Sequence, residues 1–325
     1  IDPILNFLRV PEEVWGGMRE YLLIIFAGLL ATSLYNFFSC LLRALGNSTV
    51  PLVFLAVSAI LNIAWDLLFV AVFHWGIAGA AYATIFAQYV SGIGILLYVL
   101  FRCRSLLPER KDLRFDGGIL KEIAGLSSLT CLQQSVMNFG ILMVQGLVNS
   151  FGATTMAAFA AAVKIDTFAY LPVQDFGNAY STFVAQNYGA GNKERIRRGT
   201  KESFAISTAF SLVISALVFA FAAPLMQIFV SSAETAVITS GVRYLRIEGA
   251  FYFGIGCLFL LYGYYRAIKR AEMSVVLPVI SLGIRVLLAY VLSATFLGET
   301  GIWMAIPIGW ILADLTGLLY MRRTW

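Results

Sequence analysis

Residues 51–73 read PLVFLAVSAILNIAWDLLFVAVF, a stretch that contains one charged residue, Asp66. The hydrocarbon core of a bilayer is about 30 Å thick, and a helix needs about 20 apolar residues to cross it. This stretch meets that length, and its carboxyl group lies inside the stretch rather than at an end. We therefore predict a membrane-spanning helix that carries an acidic side chain.

Comparable apolar stretches recur along the whole chain, and turn signals separate them. Windows of about 19 residues predict nine spans, with a stub before Leu8. The predicted spans are 18–44, 51–73, 76–101, 122–150, 154–186, 199–230, 236–268, 273–297 and 301–321. The turn signals are Gly46-Asn47-Ser48, Trp75-Gly76, Ser150-Phe151-Gly152 and Gly189-Ala190-Gly191-Asn192. The sequence predicts an all-α, polytopic membrane protein.

The composition and charge pattern agree with this fold class. The chain has 325 residues, of which 60% are hydrophobic and 13% are charged, whereas a soluble domain carries about 25% charged residues. The net charge of +5 does not indicate nucleic-acid binding, because the Lys and Arg residues occupy alternate loops. They are Arg102, Arg104, Arg110, Lys111, Arg114, Lys121, Lys193, Arg195, Arg197, Arg198, Lys201, Arg266, Lys269, Arg270, Arg322 and Arg323. We predict a multi-pass plasma-membrane protein, embedded in the lipid bilayer, with a cytoplasmic C-terminus.

The titratable residues do not form an enzyme's catalytic motif. The four cysteines lack CxxC spacing, and the single histidine, His74, cannot build a His-based metal centre. The sequence contains no HExxH and no paired-aspartate protease motif. We therefore expect neither catalysis nor a cofactor.

The sequence repeats itself at long range. Arg19-Glu20-Tyr21-Leu22 resembles Val242-Arg243-Tyr244-Leu245, and Leu42-Arg43-Ala44-Leu45 resembles Tyr265-Arg266-Ala267-Ile268. Both pairs are displaced by 223 positions, from residue 21 to 244 and from residue 43 to 266. Six predicted spans separate the start of one copy from the next. Because that number is even, both copies have the same orientation in the membrane, which is a parallel repeat.

The repeat also predicts the domain organisation. Residues 1–104 match 222–325, whereas the three helices near 116–221 have no partner in this chain. We interpret the chain as part of a twelve-helix parent with two six-helix lobes, of which the first three helices are missing. The start at Ile1 agrees with that interpretation. Residues 1–104 form the remainder of the N-lobe, 105–121 form a cytoplasmic loop, and 122–325 form the C-lobe.

Three polar residues are expected to converge within the membrane. Asn62 and Asp66 are four residues apart, so they lie on one face of their helix. Thr84 follows the start of the next, antiparallel helix at a comparable depth, roughly 10–12 Å from the outer end. A carboxylate at this depth is costly unless it is paired, protonated or hydrated. It can exchange a proton for a cation, although a structural hydrogen-bond cluster is the alternative interpretation.

Further candidates lie in the second lobe. Gln133 and Gln134 are predicted either to line a substrate cavity or to hold helices together. Asp166 is a cavity-lining candidate, and Glu248 is either a second proton site or the partner of a nearby arginine. Position 62 corresponds through the repeat to Arg285, and position 66 corresponds to Ala289. The matching positions of the two lobes therefore differ chemically.

Several strings resemble those of the multidrug and toxic compound extrusion (MATE) family. They cover the whole chain in the expected order and at the expected helix ends. The strings are Leu41-Leu42-Arg43-Ala44-Leu45-Gly46-Asn47-Ser48, Leu61-Asn62-Ile63-Ala64-Trp65-Asp66, Gly76-Ile77-Ala78-Gly79-Ala80-Ala81-Tyr82-Ala83-Thr84, Val144-Gln145-Gly146-Leu147-Val148-Asn149-Ser150-Phe151-Gly152 and Ala185-Gln186-Asn187-Tyr188-Gly189-Ala190-Gly191-Asn192. The resemblance implies a two-lobe, MATE-type helical bundle.

The resemblance also implies a function. MATE transporters export small organic cations by alternating access in exchange for H⁺ or Na⁺, and a monomer is expected. In the DNA-damage-inducible-F-like branch, residues matching Asn62, Asp66 and Thr84 form an N-lobe cation site, which here would hold a proton or Na⁺. The sodium-coupled branch carries a carboxylate near Gln133, and glutamine cannot replace it. A lipid-linked oligosaccharide flippase of the same superfamily is the alternative, although it requires more intramembrane Lys and Arg than this chain has.

Overall fold

The computed structural model describes Asp2 and residues 12–104 and 115–324. The predicted stub before Leu8 lies outside the described residues. So do residues 105–114 of the predicted loop, including Arg110, Lys111 and Arg114. The chain divides into two compact units, unit 1 (Ile1–Phe115) and unit 2 (Asp116–Trp325).

Helices make up both units, and no strand occurs in the described part of the chain. Unit 1 contains α1 (Glu12–Ala27), α2 (Leu29–Ala44), α3 (Thr49–Asp66), a π-helical segment (Leu67–Val72) and α4 (Gly76–Arg102). Unit 2 contains α5 (Gly117–Asn149), α6 (Ala153–Gly189), α7 (Lys193–Gln227), α8 (Thr235–Gly249), α9 (Tyr252–Ala267), α10 (Ala271–Ser293) and α11 (Glu299–Thr324). Within the described residues, eight spans are long and apolar enough to cross a membrane, and α8 with α9 makes a ninth. The predicted all-α, polytopic fold is confirmed.

Two predicted spans are interrupted. The span predicted at 236–268 consists of α8 and α9, which are bent by 51° relative to each other. Phe251 leaves the helical region there, with φ −118° and ψ 17°. The span predicted at 18–44 is divided between α1 and α2 next to Gly28. Neither interruption was predicted, because hydropathy windows report the composition of a span and not whether its helix is continuous.

Two helices begin earlier than predicted because polar side chains cap them. α5 begins at Gly117 instead of 122, and the Asp116 carboxylate accepts hydrogen bonds from the backbone N–H groups of Gly118 and Ile119 at 2.8 and 3.1 Å. α7 begins at Lys193 instead of 199, where Asn192 accepts from the backbone of Arg195 at 3.0 Å. Such side chains satisfy the free N–H groups of a first helical turn. Hydropathy windows exclude these charged turns.

The repeat predicted from the sequence is present in the helix boundaries. A shift of 223 positions moves α1 (Glu12–Ala27) onto 235–250, where α8 lies, and α2 (Leu29–Ala44) onto 252–267, the limits of α9. The same shift moves the start of α3 to 272 and the start of α4 to 299, within one residue of the starts of α10 and α11. The interruption after α1 thus recurs after α8. The two interruptions differ in size, because Gly28 keeps helical backbone angles (φ −75°, ψ −12°), whereas α8 and α9 are bent by 51°.

All four predicted turns lie between helices. Each contains a glycine with positive φ: Gly46 (86°), Gly76 (58°), Gly152 (96°) and Gly191 (70°). Side chains with a Cβ rarely adopt this conformation, so glycine allows the chain to reverse there.

Unit 2 is built around buried aromatic side chains. Trp303 on α11 is completely buried and stacks on Phe159 of α6, with ring centroids 5.5 Å apart. Tyr244 of α8 meets the Trp303 ring edge-on at 4.9 Å. These contacts join three helices that are distant in sequence, and such aromatic pairs contribute about 0.5–1.5 kcal/mol beyond their burial.

In unit 1, α3 exposes its apolar surface. Ile60 and Ile63 on α3, and Leu67 directly after it, each have more than 60% of their surface accessible. In water this arrangement would be unfavourable, whereas lipid is as apolar as these side chains. The opposite face of α3 contacts α4, where the Ser58 hydroxyl donates to the carbonyl oxygen of Ala87 at 2.9 Å.

Gly309 allows α10 and α11 to approach closely. A Cβ at Gly309 would lie 2.4 Å from the backbone oxygen of Ser281. We predict that Gly309→Ala lowers the free energy of unfolding by about 1–3 kcal/mol, because the helices must separate. Gly283→Ala on α10 is the matched control, since nothing lies within 4 Å of its added Cβ. Thermal unfolding in detergent measures both variants, and equal midpoints would contradict the prediction.

Candidate functional site

Unit 1 holds two polar groups without partners in a membrane-spanning helix. Asn62 and Asp66 both lie on α3, one turn apart and partly buried. Within the described residues, the buried Asn62 Nδ2 and Asp66 Oδ1 atoms have no hydrogen-bond partner. Such groups are costly inside a protein and more so inside a membrane. Asn62 and Asp66 therefore place two polar groups without recorded hydrogen bonds one helical turn apart within the described residues.

Thr84 lies on α4 at the level of Asn62. The contact from Ser58 to Ala87 fixes the register of the antiparallel helices α3 and α4. Asn62 is four residues beyond Ser58, and Thr84 is three residues before Ala87, so their depths differ by roughly 1.5 Å. The Thr84 hydroxyl donates to the carbonyl oxygen of Ala80 at 3.0 Å. Its oxygen lone pairs remain chemically able to bind a cation.

The helix changes geometry directly after Asp66. Residues Leu67–Val72 form a π-helical segment, which ends with a hydrogen bond of 2.9 Å from the Phe73 N–H to the Leu68 carbonyl. The Phe69 ring in this segment stacks on Trp75 at 5.0 Å. π-Helical turns occur frequently at functional sites. The sequence did not predict this segment, because no glycine or proline marks it.

Unit 2 contains a buried polar cluster that joins four helices. Asp166 of α6 and Glu248 of α8 are 4% and 6% exposed. The Tyr252 hydroxyl of α9 donates to Asp166 Oδ1. The Tyr244 hydroxyl lies within hydrogen-bonding reach of both carboxyl groups. The guanidinium of Arg285, on α10, acts electrostatically on both acids.

The charges in this cluster are unequal. Two carboxyl groups face one guanidinium, so ionisation of both acids would leave an excess negative charge in the unit's interior. Asp166 Oδ2, Glu248 Oε2 and Arg285 Nε have no hydrogen-bond partner in the described part of the chain. The arrangement can bind a proton, and it also fastens α6, α8, α9 and α10 together.

The structure places the remaining predicted residues apart from these groups. Gln133 on α5 is buried, whereas Gln134 is exposed. Two apolar cavities are present, of about 530 Å³ between α6 and α7 and about 600 Å³ between α3 and α4. None of the predicted site residues lines either cavity. The predicted cavity-lining role of Gln133, Gln134, Asp166 and Glu248 therefore stays a prediction.

Sequence reasoning missed three members of the buried polar groups. Tyr244 and Tyr252 could not be distinguished from the many other aromatic residues, because their partners lie on other helices. Asp314 of α11, which is 8% exposed, was also missed. Its position inside the predicted span 301–321 was the available signal, because intramembrane acids are rare.

The unequal charges generate a prediction about stability. Arg285→Met removes the cation that acts electrostatically on Asp166 and Glu248, and we expect it to lower the free energy of unfolding by about 1–3 kcal/mol. Adding Glu248→Gln should restore much of the loss, because one uncompensated charge is removed. Chemical unfolding in detergent measures the three proteins.

Arg243→Met is the matched control for Arg285→Met. Arg243 is half exposed and lies 3.7 Å from Glu299, and exposed pairs contribute about 0–1 kcal/mol. Equal stability of Arg285→Met and the unmodified protein would show that Arg285 does not compensate the two acids.

Comparisons with known proteins agree with this architecture. A family model described as MatE matches residues 1–68 and 129–291. The chain is 32% identical over 324 residues to the probable multidrug resistance protein YpnP of Bacillus subtilis (strain 168), covering 98% of this chain and 71% of that protein. It is 23% identical over 341 residues to DNA damage-inducible protein F of Escherichia coli (strain K12), covering 100% of this chain and 70% of that protein.

Solved structures show the same fold. The crystal structure of a mutant of the MATE transporter VcmN from Vibrio cholerae superposes with a TM-score of 0.92 at 23% identity, over 99% of this chain and 73% of that one. The family match covers more than half of the chain, and the similarity to YpnP extends over nearly all of it. The chain therefore belongs to the MatE family, whose members are multi-pass membrane transporters and not enzymes.

Proposed function

We propose that this chain exports small organic cations across the plasma membrane in exchange for H⁺ or Na⁺, with Asp66 as the coupling carboxylate. The observation that carries the proposal is that Asp66 Oδ1 and Asn62 Nδ2, inside a membrane-spanning helix, have no hydrogen-bond partner among the residues that the structure describes. Export of drugs is supported by the similarity to YpnP, which is described as a probable multidrug resistance protein. Alternating access and a monomeric state are part of the proposal.

The coupling chemistry follows from the groups in unit 1. A proton on Asp66 neutralises the carboxylate, whereas a cation bound beside the carboxylate compensates its negative charge. Either one removes the cost of an isolated charge inside the membrane. Na⁺ would take oxygen ligands, which the Asp66 carboxylate, the Asn62 amide oxygen and the Thr84 hydroxyl can supply. Because the coupling ion and the organic cation both compete for one negative charge, loading one favours release of the other.

The export proposal predicts the effect of neutralising Asp66. Asp66→Asn keeps the size of the side chain but can neither titrate nor attract a cation. We expect export of ethidium from proteoliposomes to fall to the level of liposomes without protein, under a proton gradient and under a sodium gradient. Asp175→Asn, which neutralises an exposed acid on α6, is the control and should export normally. Normal export by Asp66→Asn would remove Asp66 from the mechanism.

A second prediction concerns Thr84. Thr84→Val removes the hydroxyl but keeps the side-chain shape, so the apparent affinity for the coupling ion should fall about tenfold, the equivalent of one contact with a charge. Ethidium binding should change less. Thr130→Val on α5 is the matched control, because that hydroxyl also donates to the carbonyl four residues earlier, at 2.9 Å. An unchanged ion affinity would exclude Thr84 as a ligand.

The orientation in the membrane is also part of the proposal. Basic residues lie at alternate helix ends, including Arg102 at the end of α4 and Arg322 and Arg323 at the end of α11. Such residues favour the cytoplasmic side. We expect alkaline phosphatase fused after residue 325 to be inactive and a fluorescent protein fused there to be fluorescent. An active phosphatase fusion would contradict the proposed cytoplasmic C-terminus.

A further inference from the structure

Asp314 is a buried acid that the proposed coupling chemistry does not use. It lies within the membrane-spanning helix α11, between Glu299 at the start and Arg322 and Arg323 in the last turn. Its side chain is 8% exposed, and its Oδ1 atom has no hydrogen-bond partner within the described residues. A group of this kind is functional by default in a membrane protein, because it is costly to keep.

One helix supplies the immediate surroundings of Asp314. The Cys257 thiol of α9 lies beside the Asp314 carboxyl group and interacts with it. Gly254, one turn before Cys257 on α9, leaves space for the Asp314 side chain. A Cβ added to Gly254 would lie 3.5 Å from Asp314 Oδ2 and 3.4 Å from the Cβ of Trp310. Tyr262, also on α9, is the other titratable group that acts on this acid.

Among residues 12–104 and 115–324, no cation is found to act on Asp314. Arg285 lies on α10, and a Cβ added to Gly309 of α11 would lie 3.3 Å from the Cβ of Arg285. Gly309 is five residues before Asp314, which is roughly 7.5 Å along α11. The charge of Arg285 acts on Asp166 and Glu248, and α8 contributes Tyr244 and Glu248 to that cluster. A carboxyl group without a cation avoids the cost of charge by holding a proton.

We propose that Asp314, supported by Cys257, is a second proton-binding site, located in unit 2, that loads and releases one proton in the transport cycle. When the O–H bond of Asp314 breaks, the proton leaves on a water molecule, and the remaining carboxylate accepts the hydrogen bond of the Cys257 S–H group. The thiol is a weak donor. It therefore stabilises the anion enough for the proton to leave without holding it permanently ionised.

The site is separate from the other acids. Tyr252, which binds Asp166, begins α9, and Cys257 follows five residues later, roughly 7.5 Å further along the helix. Asp314 corresponds through the repeat to Ser91, so unit 1 has no equivalent acid. The role in transport rests on the proposed export function, whereas proton binding by Asp314 does not.

Infrared difference spectroscopy of the purified full chain tests proton binding, because the S–H stretch of Cys257 reports on its acceptor. As the pH is raised, we expect this band to move to lower frequency while the C=O band of a protonated carboxyl group disappears. Cys257→Ala should remove the moving S–H band, and Asp314→Asn should remove the C=O band. Cys131→Ala, which deletes an exposed thiol on α5, is the control and should leave both bands. A Cys257 band that does not respond to pH would overturn the proposal, even where Asp314→Asn fails to fold.

Ethidium export tests the role in transport. Asp314→Asn should flatten the dependence of export rate on internal pH, and Asp314→Glu should restore it. An unchanged pH profile in Asp314→Asn would overturn the coupling role. Asp66→Asn should keep the pH-dependent Cys257 band while it loses export, so a failure of the Asp66 mechanism and a failure of the Asp314 site give different results.

Discussion

The cost of an unsatisfied polar group in a membrane governs this structure. Water is absent from the bilayer core, so backbone groups must bond within helices, and polar side chains must find partners on neighbouring helices. Apolar side chains need no such partners, which explains why Ile60 and Ile63 remain exposed on α3. The few polar atoms that stay buried and unpaired are therefore the informative ones. Asp66, Asp166, Glu248 and Asp314 each contribute such an atom within the described residues.

These acids are satisfied to different degrees. Asp166 accepts a hydrogen bond from Tyr252, shares Tyr244 with Glu248 and faces Arg285. That cluster joins four helices, so substitutions that remove it should mainly lower the free energy of unfolding. Within the described part of the chain, Asp66 has an unpaired amide one turn away, and the weak thiol donor of Cys257 lies beside Asp314. A group with few competing partners can change its proton or ion occupancy at low cost, which coupling requires.

The sequence predicted the fold well because membrane spans depend on local composition. The span pattern, the four glycine turns and the 223-residue repeat all follow from residues that are close in sequence or directly comparable. The bend at Phe251 and the π-helical segment after Asp66 were missed, because hydropathy windows do not report backbone geometry. The cluster around Asp166 was missed for another reason. Its bond with Tyr252 joins residues 86 positions apart, and periodicity carries no information about such a contact.

The repeat explains why the two units have different chemistry on the same framework. The same helix boundaries place Asn62 and Asp66 in unit 1, where unit 2 has Arg285 and Ala289. A guanidinium at the position of the amide repels a cation, so the site of unit 1 cannot recur there. Two buried acids of unit 2, Glu248 on α8 and Asp314 on α11, correspond through the repeat to the uncharged residues Ile25 and Ser91. The backbone pattern of the two copies is therefore kept while the charges at matching positions inside the membrane differ, because helix boundaries and side-chain chemistry depend on different residues.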